Sequence, residues 1–119
     1  STSPLEADWE MARRSLGHIL KNAVEVSPEN SIVSIDLELA DNSLVIRVVG
    51  QGDVFSPEQV ERLSEPFGRL WDNTGAQKDL VRRYIVADRL IAQTGGRLEF
   101  KTTPNQGMTV SLVLADLAA

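Results

Sequence analysis

The chain has 119 residues, a net charge of −5 and no cysteine. This length suits a single domain with its own hydrophobic core, and the lack of cysteine excludes disulfides and thiolate metal sites. The acidic balance disfavours nucleic acid and anionic lipid as partners, and no apolar run reaches the roughly 20 residues that a membrane span needs. We therefore expect a domain without nucleic-acid or direct membrane contact, suited to the reducing cytoplasm.

The first half of the chain predicts a helix followed by a hairpin. Residues 1–8 are predicted to be a linker or disordered. A helix is predicted over residues 9–26, because apolar side chains recur at helical spacing and Ser27-Pro28 ends the pattern. Strict alternation over residues 32–39 predicts a half-buried strand, which pairs with a second strand over residues 44–49.

The middle of the chain predicts two more helices. Ser56-Pro57-Glu58 places Ser at a helix cap and Pro at the first helical position, so a short helix is predicted to run to about Leu63. Residues 67–79 are predicted to be irregular. A longer helix with one apolar face is predicted over residues 80–93, and Gly95-Gly96 provides its end.

The last part of the chain predicts a second hairpin, over residues 98–102 and 108–114. The helices run apart from antiparallel strands in this order of elements. The sequence therefore predicts an α+β fold, a two-layer sandwich of a mixed, mainly antiparallel sheet with helices on one face. Residues 1–119 are interpreted as one domain.

The most distinctive motif is Glu65-Pro66-Phe67-Gly68-Arg69. It resembles the phenylalanine box, F-E-P-F-x-R, in the ATP-binding domain of sensor histidine kinases. These domains belong to the GHKL ATPase superfamily and have the Bergerat fold. The resemblance extends over residues 9–114 and implies that Phe67 and Arg69 contribute to a nucleotide site. Phe67 is alternatively a core residue.

Residues 16–28 resemble the asparagine box of that family, N-L-x-x-N-A-x-K followed by Ser/Thr-Pro. The resemblance places Asn22 where a side-chain oxygen ligates magnesium, and an amide oxygen suits that hard ion. His18 replaces the first asparagine of the box and is included among the candidate nucleotide-binding residues. Glu25 replaces a lysine that would face phosphate. The alternatives are structural roles, a partly buried polar group for Asn22 and a solvated or core-edge side chain for His18.

Residues 48–55 resemble the first glycine box, x-x-D-x-G-x-G-I. Gly52 matches its first glycine, and Gly50 stands where an aspartate would bind the adenine amino group. Glycine has no side-chain acceptor, and losing such a charged acceptor costs about 1.5–3 kcal/mol. A two-residue shift of the alignment places Val48 at that position, and the acid is still missing. Asp53 is a candidate to compensate in another register, and Gly52 is alternatively a turn glycine.

Residues 78–84 lie where the family has its second glycine box, G-x-G-L-G-L. Val81 and Arg83 occupy glycine positions, at which backbone amides approach the phosphates in the family. Their side chains are expected to block that approach. Arg82 and Arg83 nevertheless carry a charge that suits phosphate.

Three of the four nucleotide boxes thus depart from the family pattern, whereas the phenylalanine box is kept. The resemblance implies a degenerate ATP-binding domain of a two-component sensor histidine kinase, with weak or absent ATP binding. Such a domain is expected to act through contact with dimerisation and phosphotransfer helices or a response regulator. No catalytic residue is assigned.

Two alternatives remain. The first is an active catalytic domain that binds ATP and magnesium and phosphorylates a histidine on a partner helix. The second is a GHKL-type regulator without kinase descent, which the Ser-Pro ending and the phenylalanine box disfavour. In each case the chain, which opens at Ser1, is expected to be a C-terminal part of a longer protein, with this domain in the cytoplasm and monomeric in isolation.

Overall fold

The structure is a computed structural model that describes residues 4–52, 55–65, 76–103 and 107–114. These segments contain helices and strands in the predicted order of helix, hairpin, helix, helix, hairpin. Their bounds are α1 Pro4–Val26, β1 Ser34–Ala40, β2 Ser43–Val49, α2 Pro57–Leu63, α3 Ala76–Ala92, β3 Arg97–Thr103 and β4 Gly107–Leu114.

The strands form one sheet in the order β1-β2-β4-β3, and each described neighbour pair is antiparallel. Ile46 lies opposite Leu112 and Val48 opposite Val110, so their side chains share one face of the sheet. This face forms the core together with buried residues of α1 and α3, such as Ile19 and Ile91. The α+β class with helices on one sheet face is therefore confirmed.

Two helices begin earlier than the sequence predicted. Helix α1 begins at Pro4 rather than at residue 9, and α3 begins at Ala76 rather than at residue 80. Proline is tolerated in a first helical turn because the amide hydrogen that it lacks would have no partner there. Residues 4–8, predicted as linker, and residues 76–79, predicted as irregular, are therefore helical. None of the helices in the described residues is long and apolar enough to cross a membrane.

Helix α2 begins as predicted. Ser56 accepts a hydrogen bond from the Gln59 amide, and the Gln59 side chain accepts one from the Ser56 amide in return. This capping box satisfies two helix-end donors, and Pro57 occupies the first turn. Val60 and Leu63 are buried, so the short helix is held by packing as well as by its cap.

The first strand corrects one prediction. Its apolar residues Ile35, Leu37 and Leu39 are 51%, 64% and 73% exposed, so β1 is not half-buried. Ile35 lies opposite Val48 and Leu37 opposite Ile46, which puts them on the face of the sheet that the helices cover elsewhere. Of the two edge strands, however, β1 is the one that the helices leave uncovered, since they pack over β2, β4 and the other edge strand, β3. The alternation thus predicted the strand correctly but not its burial.

Candidate functional site

The centre of the candidate site lies between α1 and α3, at the fully buried side chain of Asn22. Its Nδ2 donates a hydrogen bond of 2.8 Å to the carbonyl oxygen of Leu80. Its Oδ1 accepts one of 3.1 Å from a terminal guanidinium nitrogen of Arg83. The same nitrogen of Arg83 donates to a carboxylate oxygen of Glu25 at 2.7 Å. One guanidinium therefore bridges two polar side chains of α1.

These contacts join two residues that the sequence analysis treated separately. In the resemblance to histidine kinase domains, Glu25 aligns with a lysine and Arg83 with a glycine. The two departures from the family pattern form an ion pair in the structure, with 45% and 20% of the respective side chains exposed. The charge reversal at Glu25 is thus matched by a positive charge on the facing helix.

The arrangement at Asn22 does not fit a magnesium ion as it stands. Magnesium requires a near-octahedral set of oxygen ligands. The candidate ligand oxygen of Asn22 instead faces a positive charge at 3.1 Å. No group of three or more His, Cys, Asp or Glu residues able to hold a metal is found within the described segments.

An apolar pocket lies next to Asn22, at the end of α1. The wall is formed by Ala23, Val26, Val48, Gly50, Gly52, Phe55, Tyr84, Met108 and Val110. None of these residues carries a carboxylate, although the resemblance to histidine kinase domains places an adenine-binding aspartate at Gly50. Among the described residues, the wall therefore offers an apolar surface without an ionised acceptor for an amino group.

The two glycines of the pocket differ in the space around them. A Cβ atom at Gly50 would lie 3.5 Å from the Ser27 Oγ and 3.6 Å from the Ala23 Cβ, which is ordinary van der Waals contact. A Cβ atom at Gly52 would lie only 2.0 Å from the carbonyl oxygen of Val26. Gly52 is therefore required by its close approach to the end of α1, whether or not a ligand is present.

Tyr84 lies within the helix predicted over residues 80–93, and in the structure it connects the pocket to Asn22. Its ring lies in the pocket wall and makes an edge-on contact with Phe100, with ring centroids 5.1 Å apart. Burial raises the pKa of its hydroxyl to about 12, and a hydrogen bond with Asn22 opposes part of that rise.

The other candidate residues are placed less centrally. His18 is half-buried on α1, one helical turn before Asn22. Arg82 lies 3.7 Å from Asp79, in an ion pair whose two side chains are well exposed. The predicted contacts of Phe67 and Arg69 lie outside the described residues, and so does the alternative role of Asp53. Lys78 is exposed.

Comparison with known proteins gives one family and several relatives. Residues 7–118 match the family of histidine kinase-, DNA gyrase B- and HSP90-like ATPases. The sensor protein KdpD of Rathayibacter rathayi is 29% identical over 114 residues, which are 96% of this chain and 13% of that protein. The sensor protein PfeS of Pseudomonas aeruginosa is 32% identical over 94 residues, 79% of this chain and 21% of that protein.

Solved structures have the same fold. The catalytic domain of histidine kinase ThkA has a TM-score of 0.71 at 19% identity, covering 90% of this chain and 67% of that one. A mycobacterial sensor histidine kinase, MprB, has a TM-score of 0.66 at 20% identity, covering 86% of this chain and 68% of that one. The chain spans about a fifth or less of the two curated relatives.

Proposed function

Because this chain belongs to the family of histidine kinase-, DNA gyrase B- and HSP90-like ATPases, we propose that it is a degenerate ATP-binding domain with weak or absent ATP binding. The resemblance to ATP-binding domains of sensor histidine kinases is confirmed by the family match and by the sensor proteins among its relatives. The loss of nucleotide binding is the proposed step. We further propose that the domain acts in the cytoplasm, in two-component signalling.

The observation that carries this proposal is the wall of the apolar pocket. Gly50 supplies no carboxylate, and none of the other lining residues that the structure describes carries one. A missing charged acceptor costs about 1.5–3 kcal/mol of binding free energy, or about tenfold to more than a hundredfold in affinity. An adenine base in this pocket would gain apolar contact but lose the interaction that selects it.

The electrostatics next to the pocket support the same proposal. Asn22 Oδ1 is paired with Arg83, so it is not available as a free oxygen ligand in this arrangement. Glu25 adds a negative charge where the related domains present lysine to phosphate. Both features weaken the metal and phosphate contacts on which phosphoryl transfer depends.

The proposed mode of action is protein–protein contact rather than catalysis. Its proposed partners are dimerisation and phosphotransfer helices of the parent protein or a response regulator. In this role the folded surface of the domain contacts a partner. Because nucleotide binding is not needed, residues in the nucleotide boxes can differ from the family pattern. Sensor proteins among the relatives make such partners the natural candidates.

A second candidate function is an active kinase domain that binds Mg-ATP and phosphorylates a histidine on a partner helix. It is favoured by the open pocket beside Asn22 and by the positive charge of Arg83. Phosphoryl transfer needs little covalent chemistry from the protein, because positioning and electrostatics carry it. In this case Asn22, Lys78, Arg82 and Arg83 would have to supply the phosphate environment.

Calorimetry with Mg-ADP separates the two functions. We expect no measurable heat of binding at concentrations that saturate an active kinase domain. A thermal-unfolding series checks the result, because a ligand at 100 times its dissociation constant stabilises by about 2.7 kcal/mol. A dissociation constant in the low micromolar range would reject the degenerate function and leave the active kinase domain.

A further inference from the structure

The Arg83 guanidinium is bound by oxygen atoms of the kind that would bind a metal cation. Its guanidinium nitrogen is 3.1 Å from the Asn22 amide oxygen and 2.7 Å from a Glu25 carboxylate oxygen. An amide oxygen and a carboxylate are the ligand types that a hard divalent cation prefers. The positive charge is supplied here by a side chain of the facing helix.

The geometry ties one face of α1 to α3. Asn22 and Glu25 are three residues apart on α1, so they lie on the same face of the helix. Arg83 reaches both of them from α3, and Asn22 also donates to the Leu80 carbonyl one turn earlier. The fully buried Asn22 and the largely buried Arg83 side chain lie within this contact. Charge-assisted hydrogen bonds in such surroundings are stronger than neutral ones.

We propose that Arg83 is an internal substitute for a divalent cation, holding α1 to α3 through Asn22 and Glu25. This inference deepens the proposed function and rests on it. With the cation built in, the two helices stay joined without metal or nucleotide. The surface of the domain then has the same shape for a partner at every nucleotide concentration.

The test uses Arg83→Met, which keeps the apolar length of the side chain and removes its charge. Without nucleotide, we expect this variant to lower the Tm by several degrees. Arg82→Met is the matched control, because Arg82 is in an exposed pair with Asp79 on the same helix. The control is expected to unfold close to the wild-type Tm, since exposed ion pairs contribute little.

A magnesium titration tests the substitution itself. Millimolar magnesium chloride is expected to raise the Tm of Arg83→Met, because it supplies the missing positive charge to Asn22 and Glu25. The wild type and the double variant Arg83→Met/Glu25→Gln should not respond, and potassium chloride of equal ionic strength should not reproduce the effect. A purely structural contact would not produce this pattern.

The outcomes separate this inference from the proposed function. An Arg83→Met variant with the wild-type Tm, or one that magnesium does not stabilise, overturns the inference. A wild-type protein stabilised by Mg-ADP overturns the proposed function, whatever the variants show. If the wild type ignores Mg-ADP and magnesium rescues only Arg83→Met, both are supported.

Discussion

Asn22 on α1 and Leu80 on α3 are 58 positions apart in sequence and are joined by a buried hydrogen bond of 2.8 Å. The bond runs from the amide nitrogen of the side chain to a main-chain carbonyl. Asn22 therefore joins α1 to α3 without any ligand. The asparagine box of the related domains therefore has a structural use in this chain.

The first prediction concerns this bond. Asn22→Ala is expected to lower the free energy of unfolding by about 1–3 kcal/mol, because it leaves buried polar groups without their partner. Urea denaturation in nucleotide-free buffer measures the change. Lys21→Ala, an exposed neighbour on α1, is the control and should be nearly neutral. An unchanged midpoint for Asn22→Ala would show that its contacts do not contribute to folding.

The second prediction concerns Gly52. An added methyl group would lie 2.0 Å from the carbonyl oxygen of Val26. Gly52→Ala is therefore expected to destabilise the apo protein by about 1–3 kcal/mol, the usual cost of overpacking.

Gly17→Ala is the matched control for Gly52→Ala. Apart from its chain neighbours and the surrounding backbone of α1, no described atom lies within 4 Å of a Cβ placed at Gly17, which is in the middle of α1 and exposed. Replacing a helical glycine by alanine should stabilise by about 0.5–1 kcal/mol. Thermal unfolding of the two variants should therefore shift in opposite directions. A neutral Gly52→Ala would mean that the segment has room to move away from α1.

The sequence predicted what depends on local pattern. Alternation of apolar residues predicted the strands, and Ser56 with Pro57 predicted the start of α2 because caps are set by neighbouring residues. The exposure of Leu37 was not predictable, since it depends on which strand the helices leave uncovered. The same alternation occurs in edge strands and in central strands.

In the candidate site too, features set by local sequence were predicted, whereas contacts between distant residues were not. The resemblance singled out Asn22, and it also identified Glu25 and Arg83 as separate departures from the family pattern. Their pairing joins positions 58 residues apart, and no local pattern predicts which charges meet across two helices. Nor does the sequence predict that Gly52 is fixed by its approach to Val26, because that distance depends on how the strand end packs on α1.

The third prediction restores an acceptor to the pocket. Gly50→Asp places a carboxylate where the resemblance places the adenine-binding aspartate, and its Cβ meets its neighbours at ordinary distances of 3.5 to 3.8 Å. We expect adenosine to bind this variant about tenfold to a hundredfold more tightly than the wild type. Calorimetry with adenosine measures the gain without the phosphate and metal contacts.

Gly50→Asn is the control for that gain. It has nearly the same size as Gly50→Asp but lacks the negative charge, so it should recover little of the affinity. Equal binding of adenosine by Gly50→Asp and the wild type would mean that the missing acid is not what limits adenine binding. The loss would then have to arise elsewhere in the pocket wall.

The fourth prediction concerns alkaline pH. Burial raises the pKa of the Tyr84 hydroxyl from 10.0 to about 12. The folded state therefore holds this proton more tightly than the unfolded state. The resulting stability is fully present below pH 10 and is lost as pH rises from 10 towards 12. A shift of this size corresponds to about 2–3 kcal/mol over that window.

Urea denaturation at a series of pH values measures the loss, and Tyr84→Phe isolates it from the titration of lysines in the same range. The variant lacks the hydroxyl at every pH, so its stability should fall less steeply above pH 10. Tyr84 is the only tyrosine of the chain, so tyrosinate absorbance of the wild type follows its ionisation directly. Parallel pH curves for the two proteins, or ionisation near pH 10 in the folded state, would contradict the burial of this hydroxyl beside Asn22.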